Sequence, residues 1–322
     1  MERGTLAVLY GPPGAAKTFV AIDMALSVST GREFAGRRTA QGLVVYVGGE
    51  GQRSFGRRLK AWRIGRSVDA IGTNFAYITE RVGLRDEANV ELLADTIDAY
   101  SKALGERVES VFFDTWQRHL EGDENSTTDV SRACRNLCAL VRDRFDCSIA
   151  VLHHTGWSES DRIRGARVLE GECDSLWQVS LDNERNVTTV SCKRMRDGKM
   201  PGPLVFRGRL VQVNEAGHES WCVEYAPGEK PQNSAEAGLG DKERRTLETV
   251  RRLYAGERER MLATGSNPMI AEVTTEMLRS DLVTRGVYPG DEGSNRAISN
   301  VLSRLLGKRL IERRGRRNFV PV

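Results

Sequence analysis

The sequence predicts an α/β fold with a mostly parallel sheet, followed by a small C-terminal domain of three helices and a hairpin. Through the first two-thirds of the chain, short apolar runs alternate with longer amphipathic segments, as in βαβ units. After the aperiodic stretch APGEKPQNSAEAGLGD, apolar residues recur at helical spacing. The chain ends in a run in which apolar and polar residues alternate. We therefore expect domains at residues 1–226 and 242–322, joined by a linker at 227–241.

The apolar runs and amphipathic segments give the expected elements of the first domain. Strands are expected at Leu6–Tyr10, Leu43–Val47, Phe75–Ile78, Ser110–Phe113, Ser148–Leu152, Ser175–Leu181, Val187–Cys192, Pro203–Phe206 and Trp221–Tyr225. The last strands are expected to form antiparallel hairpins. Helices are expected at Lys17–Val28, Phe55–Trp62, Val90–Leu104 and Val130–Phe145.

The C-terminal elements have the order of a winged helix-turn-helix. Helical spacing covers Lys242–Leu262, Ile270–Arg285 and Arg296–Leu306, and a hairpin is expected around Gly315. Asn295 or Ser294 can cap the third helix, whose apolar face would point inward. Arg296, Asn300, Ser303 and Arg304 would be exposed on that helix, and Arg313, Arg314, Arg316 and Arg317 would surround the hairpin tip.

The stretch VLYGPPGAAKTFV, residues 8–20, matches the phosphate-loop pattern G-x-x-x-x-G-K-[ST] except at Ala16. Backbone N–H groups of such a loop and of the following helix wrap the phosphates of ATP, the lysine reaches the outer phosphates, and the Thr hydroxyl binds Mg²⁺. We expect near-helical backbone at Ala16, which alanine tolerates, and hence altered rather than abolished nucleotide handling. The expected nucleotide-binding residues are Gly11, Pro12, Pro13, Gly14, Ala15, Ala16, Lys17, Thr18 and Phe19.

Two further strands end in carboxylates. In VVYVGGEG the strand leads to Glu50, which could act as the general base that polarises the attacking water, or be a loop carboxylate held by backbone N–H groups. The strand SVFFDT ends in Asp114, in the pattern that holds the hydration shell of Mg²⁺. Many strands end in Asp, so the order and spacing after the phosphate loop carry this assignment.

Two more segments supply candidate polar groups. SIAVLHHTG ends a strand in His153 and His154, of which one at most can face the nucleotide; His154 is the better γ-phosphate sensor, and a packed histidine is the alternative. After the next strands, a cluster of Lys193, Arg194, Arg196 and Lys199 is either a solvated turn or a source of an arginine finger for a neighbouring subunit.

The order GPPGAAKT, VGGEG, FFDT, LHHTG and KRMRDG resembles that of the RecA-like hexameric ATPases, most closely the RepA-type replicative helicases of plasmids and phages. The resemblance, over about residues 6–206, implies that Lys17 and Thr18 form the Walker A pair. It likewise makes Glu50 the catalytic base, Asp114 the Walker B acid and His154 the sensor. Arg196 would be the finger acting on a neighbouring subunit and Arg194 its companion. ATP and Mg²⁺ are the implied cofactors.

Charge and composition indicate the partners. Residues 241–322 contain 17 Lys and Arg against 11 Asp and Glu, a net charge of +6, while the whole chain carries only +4. A basic C-terminal part suggests a polyanion partner there. No apolar run reaches the length of a membrane span, and no export signal precedes the first strand. We therefore expect a cytoplasmic protein, with its six cysteines reduced.

These features together favour an ATP-hydrolysing helicase or translocase that acts on single-stranded DNA as a hexameric ring in the replication of a mobile element. The segment 157–168 is a candidate DNA-gripping loop, and the winged helix would add contacts to duplex DNA or to a protein. Two alternatives remain: an ATP-switched DNA-binding regulator or loader without unwinding activity, and a strand-pairing recombinase.

Overall fold

The computed structural model contains two compact units, Met1–Gln232 and Asn233–Val322. Among the residues it describes, no helix is long and apolar enough to cross a membrane. The described residues are 1–48, 52–155, 163, 168–229, 231, 239–314 and 318–321.

The first unit is built on nine strands. They are β1 (Leu6–Gly11), β2 (Leu43–Gly48), β3 (Phe75–Ile78), β4 (Val108–Asp114), β5 (Ser148–His154), β6 (Ser175–Asp182), β7 (Val187–Met195), β8 (Leu204–Gln212) and β9 (Glu219–Tyr225). Six helices connect them: α1 (Lys17–Thr30), α2 (Gln52–Gly65), α3 (Glu87–Leu104), α4 (Trp116–Leu120), α5 (Thr127–Leu137) and α6 (Val168–Glu172).

One sheet contains all nine strands, in the order β3-β2-β4-β5-β1-β6-β7-β8-β9. The strands from β3 to β6 in this order run parallel, and β7, β8 and β9 continue the sheet as antiparallel neighbours. The α/β class with a mostly parallel sheet, and its antiparallel end, are therefore confirmed.

Both faces of the central strands are buried, which explains why the sequence shows continuous apolar runs there instead of alternation. On β4, for example, Val111 and Phe113 face one core while Phe112 faces the other. Helix α1 covers the Phe112 side with Val20, Met24 and other apolar residues. Helices α3 and α5 cover the opposite side. The sheet is thus a rigid platform whose strand ends are fixed from both sides.

The helix expected over Val130–Phe145 differs in the structure. It is α-helical over Thr127–Leu137, π-helical over Cys138–Asp143, and α-helical again at Arg144 and Phe145. It also begins three residues earlier, because the Ser126 hydroxyl accepts a hydrogen bond from the Asp129 backbone N–H and caps it. The short helices α4 and α6 were not expected.

The second unit contains α7 (Asp241–Ala263), β10 (Val273–Thr274), α8 (Thr275–Thr284), α9 (Glu292–Gly307), β11 (Ile311–Arg314) and β12 (Asn318–Pro321). The strands form a small sheet in the order β10-β12-β11, and the buried faces of the three helices share one apolar core with it. The expectation of one helix over Ile270–Arg285 was wrong, because Val273 and Thr274 pair with β12 instead.

The cap of α9 is also not the expected one. Neither Asn295 nor Ser294 caps this helix; Asp291 does, accepting hydrogen bonds from the Ser294 backbone N–H at 2.9 Å and from its hydroxyl at 2.8 Å. These bonds lower the pKa of the Asp291 carboxyl, because they stabilise its charged form. The helix therefore begins about one turn before the first residue expected from its apolar spacing.

Candidate functional site

The C-terminal ends of the parallel strands bring the candidate residues to one edge of the sheet. Gly11 at the end of β1 lies beside His154 of β5, and Gly48 at the end of β2 lies beside Asp114 of β4. In open parallel sheets this is the edge at which ligands bind. The loop from β1 to α1, residues 12–16, opens onto the same edge.

The turn after β1 forms a cradle for an anion. The Ala15 backbone N–H donates to the Pro12 carbonyl at 3.2 Å, which closes the turn. No side chain caps the N-terminus of α1, and its first turn contains no acidic residue. A Cβ added at Gly14 would meet nothing within 4 Å, so the loop faces open space. The positive end of the α1 dipole is thus available to phosphate oxygens.

Gly11 is required by packing rather than by its dihedral angles. A Cβ at this position would lie 2.2 Å from the carbonyl oxygen of Val179 on β6. Such a contact with backbone cannot be relieved by a rotamer change. The glycine therefore allows β1 and β6 to approach at the point where the chain leaves the sheet for the loop.

Ala16 does not have the near-helical backbone that we expected from the sequence. Its φ of 66° and ψ of 17° lie in the left-handed region, where the pattern's usual glycine fits without strain. The Cβ of alanine makes this conformation unfavourable by about 1 kcal/mol. The loop thus keeps the shape that glycine would adopt and stores the strain at the residue before Lys17.

Lys17 is buried and folds back onto the loop. Its ammonium donates to the carbonyls of Gly11 at 2.8 Å and Pro12 at 2.9 Å, and lies 3.2 Å from Nδ1 of His154. Because an ammonium can only donate, Nδ1 of His154 accepts in this contact. His153, the neighbouring residue, is buried and accepts a hydrogen bond from the His154 backbone N–H through its own Nδ1. The two histidines therefore have different environments, and His154 is the one in contact with the loop.

Asp114 accepts two hydroxyl hydrogen bonds at the same carboxylate oxygen. Thr18 donates to Oδ2 at 2.9 Å and Tyr46 donates to it at 2.8 Å. Carboxylate and hydroxyl oxygens are the hard donors that Mg²⁺ prefers, and Thr18 lies in the first turn after the loop within 2.9 Å of Asp114, so these residues fit the metal. Tyr46 was not among the residues singled out from the sequence. The one feature that could have pointed to it is its position near the end of the strand in VVYVGGEG, two residues before Gly48.

Tyr46 is completely enclosed, and its surroundings keep it protonated. Burial, together with the neighbouring Asp114 charge, raises the pKa of the Tyr46 phenol well above its usual value. A neutral phenol can donate to a carboxylate at any physiological pH. Tyr46 therefore acts on Asp114 as a fixed donor.

An aromatic pair lies beside the phosphate loop. Phe19, which follows Thr18, has its ring centroid 6.1 Å from that of Trp221 on β9, and the guanidinium of Arg58 on α2 lies 5.2 Å from the Phe19 centroid. Both rings are half-buried. Flat apolar surfaces flanked by a guanidinium suit a nucleobase, which stacks on either. Trp221 and Arg58 carried no recognisable signal in the sequence.

Within one chain, the expected finger residues lie away from the phosphate loop. The end of β7 pairs with the start of β6, beside the first residues of β1 rather than Gly11, at the opposite edge of the sheet. Arg196 is held there by the Asp174 carboxylate at 3.0 Å and the Gly171 carbonyl at 2.8 Å, and Arg194 donates to the Glu170 carbonyl. The length of β1, about 17 Å, separates the two edges.

Several expected residues lie outside the described part of the chain. They are Glu50, most of the segment 157–168, Gly315, Arg316 and Arg317. Of the remaining hairpin arginines, Arg314 donates to the Met269 carbonyl at 3.1 Å and Arg313 lies over the Phe319 ring. Both are exposed on β11.

The strand order, the phosphate cradle and the Thr18–Asp114 pair are those expected of an α/β domain that binds a nucleotide through a phosphate loop. Residues 1–160 match the protein-family model described as AAA domain. The crystal structure of the RadB recombinase is similar, with 20% identity and a TM-score of 0.48 over 64% of this chain and 88% of that chain. No curated protein sequence matches the chain.

Proposed function

We propose that the protein is an ATP-driven DNA helicase or translocase of the RepA type that works as a hexameric ring on single-stranded DNA. Its cofactors would be ATP and Mg²⁺, with the phosphates in the loop and the metal between Thr18 and Asp114. The nucleobase of ATP would stack on Phe19 and Trp221. Glu50 is proposed as the base that activates water, on sequence grounds alone.

The contact between Lys17 and His154 is the observation that carries the proposal. Bound phosphate would compete for the ammonium, which now donates to two carbonyls and contacts His154 Nδ1. His154 ends β5, and the chain runs from there directly into the segment 157–168. A change in the lysine's partners would therefore alter the start of the candidate DNA loop. The contact supports the proposal because it would connect the nucleotide state with DNA contact.

The location of Arg194 and Arg196 favours a multi-subunit enzyme. They lie at the edge of the sheet away from their own phosphate loop, so they would act on a neighbour's nucleotide. The Arg196 side chain, which pairs with Asp174, is 44% exposed. An exposed ion pair contributes little stability, so Arg196 could leave Asp174 for a phosphate at little cost. A ring brings each such edge to the next subunit's site.

The decisive experiment is steady-state ATP hydrolysis with and without single-stranded DNA, with Lys17→Ala as the blank. We expect hydrolysis that rises with single-stranded DNA and is absent from the blank. In ATP and Mg²⁺, a size measurement should give the mass of a hexamer, and electron microscopy should show closed rings. Strand displacement on a forked duplex should require hydrolysis. Filaments instead of rings under the electron microscope would favour the strand-pairing alternative.

The second candidate, an ATP-switched DNA-binding regulator or loader, is favoured by Ala16. A strained residue next to Lys17 is an obstacle to fast turnover but not to binding. The exposed polar face of α9 in the second unit would then read duplex DNA, as in a winged helix. Tight nucleotide binding with slow, DNA-independent turnover and sequence-specific duplex binding would support this candidate over the motor.

A further inference from the structure

Tyr46 connects the two strands that lead to the catalytic edge. It lies on β2, its ring stacks on Phe112 of β4 with centroids 5.6 Å apart and planes 9° apart, and it also contacts Phe55 of α2. Its hydroxyl reaches Asp114, two residues beyond Phe112, at 2.8 Å. The ring has no exposed surface, so packing fixes where the hydroxyl points.

We propose that Tyr46 is a positioning residue for the metal: its hydroxyl holds the Asp114 carboxylate in the orientation at which it meets Mg²⁺ bound with a nucleotide. This inference rests on the proposed binding of ATP and Mg²⁺. It assigns Tyr46 no contact with the nucleotide or the metal.

The two groups that donate to Asp114 Oδ2, the hydroxyls of Thr18 and Tyr46, would have different roles when Mg²⁺ binds. Thr18 would offer a lone pair of its hydroxyl oxygen to the metal, and its hydrogen can donate to Asp114 at the same time. Tyr46 would not bind the metal, and packing fixes its ring, so its hydroxyl is the donor whose position does not depend on the metal. It therefore holds Oδ2 of Asp114 in place, and with it the plane of the carboxylate.

A positioning role and a merely structural role predict different results. If the hydroxyl served only to satisfy a buried carboxylate, its loss would change stability but not the metal requirement. If it orients the carboxylate, its loss reduces metal affinity even in a well-folded protein, as is general for groups that orient metal ligands. The metal dependence of nucleotide binding separates the two.

Tyr46→Phe is the test variant, because it removes one oxygen and keeps the stacked ring. Tyr77→Phe is the matched control. Tyr77 lies next to Tyr46 on β3, with ring centroids 6.3 Å apart, and within the described part of the chain its hydroxyl has no hydrogen-bond partner. Both substitutions remove a phenol oxygen from the same aromatic cluster, but only one removes a bond to Asp114.

The measurement is the affinity for a fluorescent N-methylanthraniloyl-ATP, first in EDTA and then in a Mg²⁺ titration, with melting curves to check folding. We expect equal affinities in EDTA, and a Mg²⁺ midpoint raised about tenfold in Tyr46→Phe and unchanged in Tyr77→Phe. An unchanged midpoint in a folded Tyr46→Phe, or the same midpoint shift in both variants, would overturn the positioning role alone. A wild-type protein without Mg²⁺-dependent binding would instead overturn the proposed function and this inference with it.

Discussion

Lys17 and His154 are in direct contact although 137 residues separate them: the lysine ammonium lies 3.2 Å from Nδ1 of the histidine. The contact exists because parallel pairing sets the end of β1 beside the end of β5. It joins the lysine that we propose as the phosphate ligand to the strand that leads toward the candidate DNA loop. In the proposed function, this contact would couple nucleotide binding to DNA binding.

His154→Ala should uncouple hydrolysis from DNA. We expect nucleotide binding to remain and the stimulation by single-stranded DNA to fall about tenfold, a typical size for a lost coupling between two sites. The measurement is ATP turnover across a titration of single-stranded DNA. His218→Ala is the control, because His218 is exposed on the turn between β8 and β9, where its ring and its backbone N–H pair with Asn214. Full stimulation in the His154 variant would contradict the sensor role.

Ala16→Gly should relieve the strain in the phosphate loop. Glycine removes about 1 kcal/mol of left-handed strain, although part of this gain is offset by its more flexible unfolded chain. We therefore expect a small gain in the free energy of unfolding together with faster turnover and an unchanged nucleotide affinity. Urea unfolding and steady-state kinetics measure the two effects.

Ala35→Gly supplies the control for Ala16→Gly. Ala35 is also left-handed, with φ of 49°, but lies in the loop between α1 and β2, beyond the end of α1 that lies opposite the phosphate loop. It should gain stability without any change in nucleotide kinetics. If both variants changed turnover equally, the effect would be general loosening rather than relief at the phosphate loop.

Local patterns predicted the scaffold of the site well. A buried strand, a Gly- and Pro-containing loop and a following helix are all encoded within residues 6–30, so the cradle could be located from the sequence. The carboxylate of Asp114 at the end of β4 could be located for the same reason. The α/β class followed from the length and alternation of the segments, which depend on burial on both sides of the sheet.

What sequence reasoning missed depends on contacts between distant segments or on backbone angles. Tyr46 and Asp114 are 68 residues apart, and only the β2–β4 register brings the hydroxyl to the carboxylate. Ala16 has a positive φ, which the sequence does not reveal because alanine normally avoids the left-handed region. The two-residue strand β10 exists only because β12 lies next to it, which no local pattern records.

The buried Asp23 makes the packing of α2 on α1 sensitive to one arginine. Asp23 accepts bonds from Arg66 Nη2 at 2.6 and 2.8 Å and from the Trp62 indole at 2.7 Å. Arg66→Ala should lower the free energy of unfolding by about 3 kcal/mol, because it leaves a buried carboxylate without its counter-charge. Arg63→Ala, which removes an exposed bond to the Asp69 carbonyl, should cost much less.

The penalty of Arg66→Ala should shrink as the pH is lowered. Burial raises the pKa of Asp23, so its protonated form is favoured in the folded state and its contribution to stability is lost as pH rises through that pKa. The Arg66 charge opposes this rise, so its removal raises the pKa of Asp23 further. The pH range over which stability is lost then moves toward neutral pH. Urea unfolding of wild type and variant at pH 7.5 and pH 5 tests it. A penalty independent of pH would mean that lost packing, not charge, dominates.

The exposed face of α9 should read duplex DNA if the second unit is a winged helix. Arg296 and Asn300 are exposed on one side of this helix, while Ile298, Val301 and Leu302 face the core. We expect Arg296→Ala to weaken duplex binding and, if the guanidinium meets a phosphate, to reduce the slope of log affinity against log salt by about 1. Asn300→Ala should instead reduce discrimination between sequences, since an amide reads base edges. Fluorescence anisotropy on several duplexes and salt concentrations measures both.

Arg258→Ala is the matched control for the α9 variants, because Arg258 is also exposed but lies on α7 with its guanidinium over the Tyr254 ring. It should bind duplex DNA as the wild type does. Arg304 is a poorer choice for a test variant, since it pairs with Glu243 at 2.8 Å and its loss would disturb the contact between α9 and α7. Equal, salt-dependent losses in the Arg296 and Arg258 variants would show that the unit attracts DNA by net charge alone. No loss in either would show that the α9 face does not contribute to duplex binding.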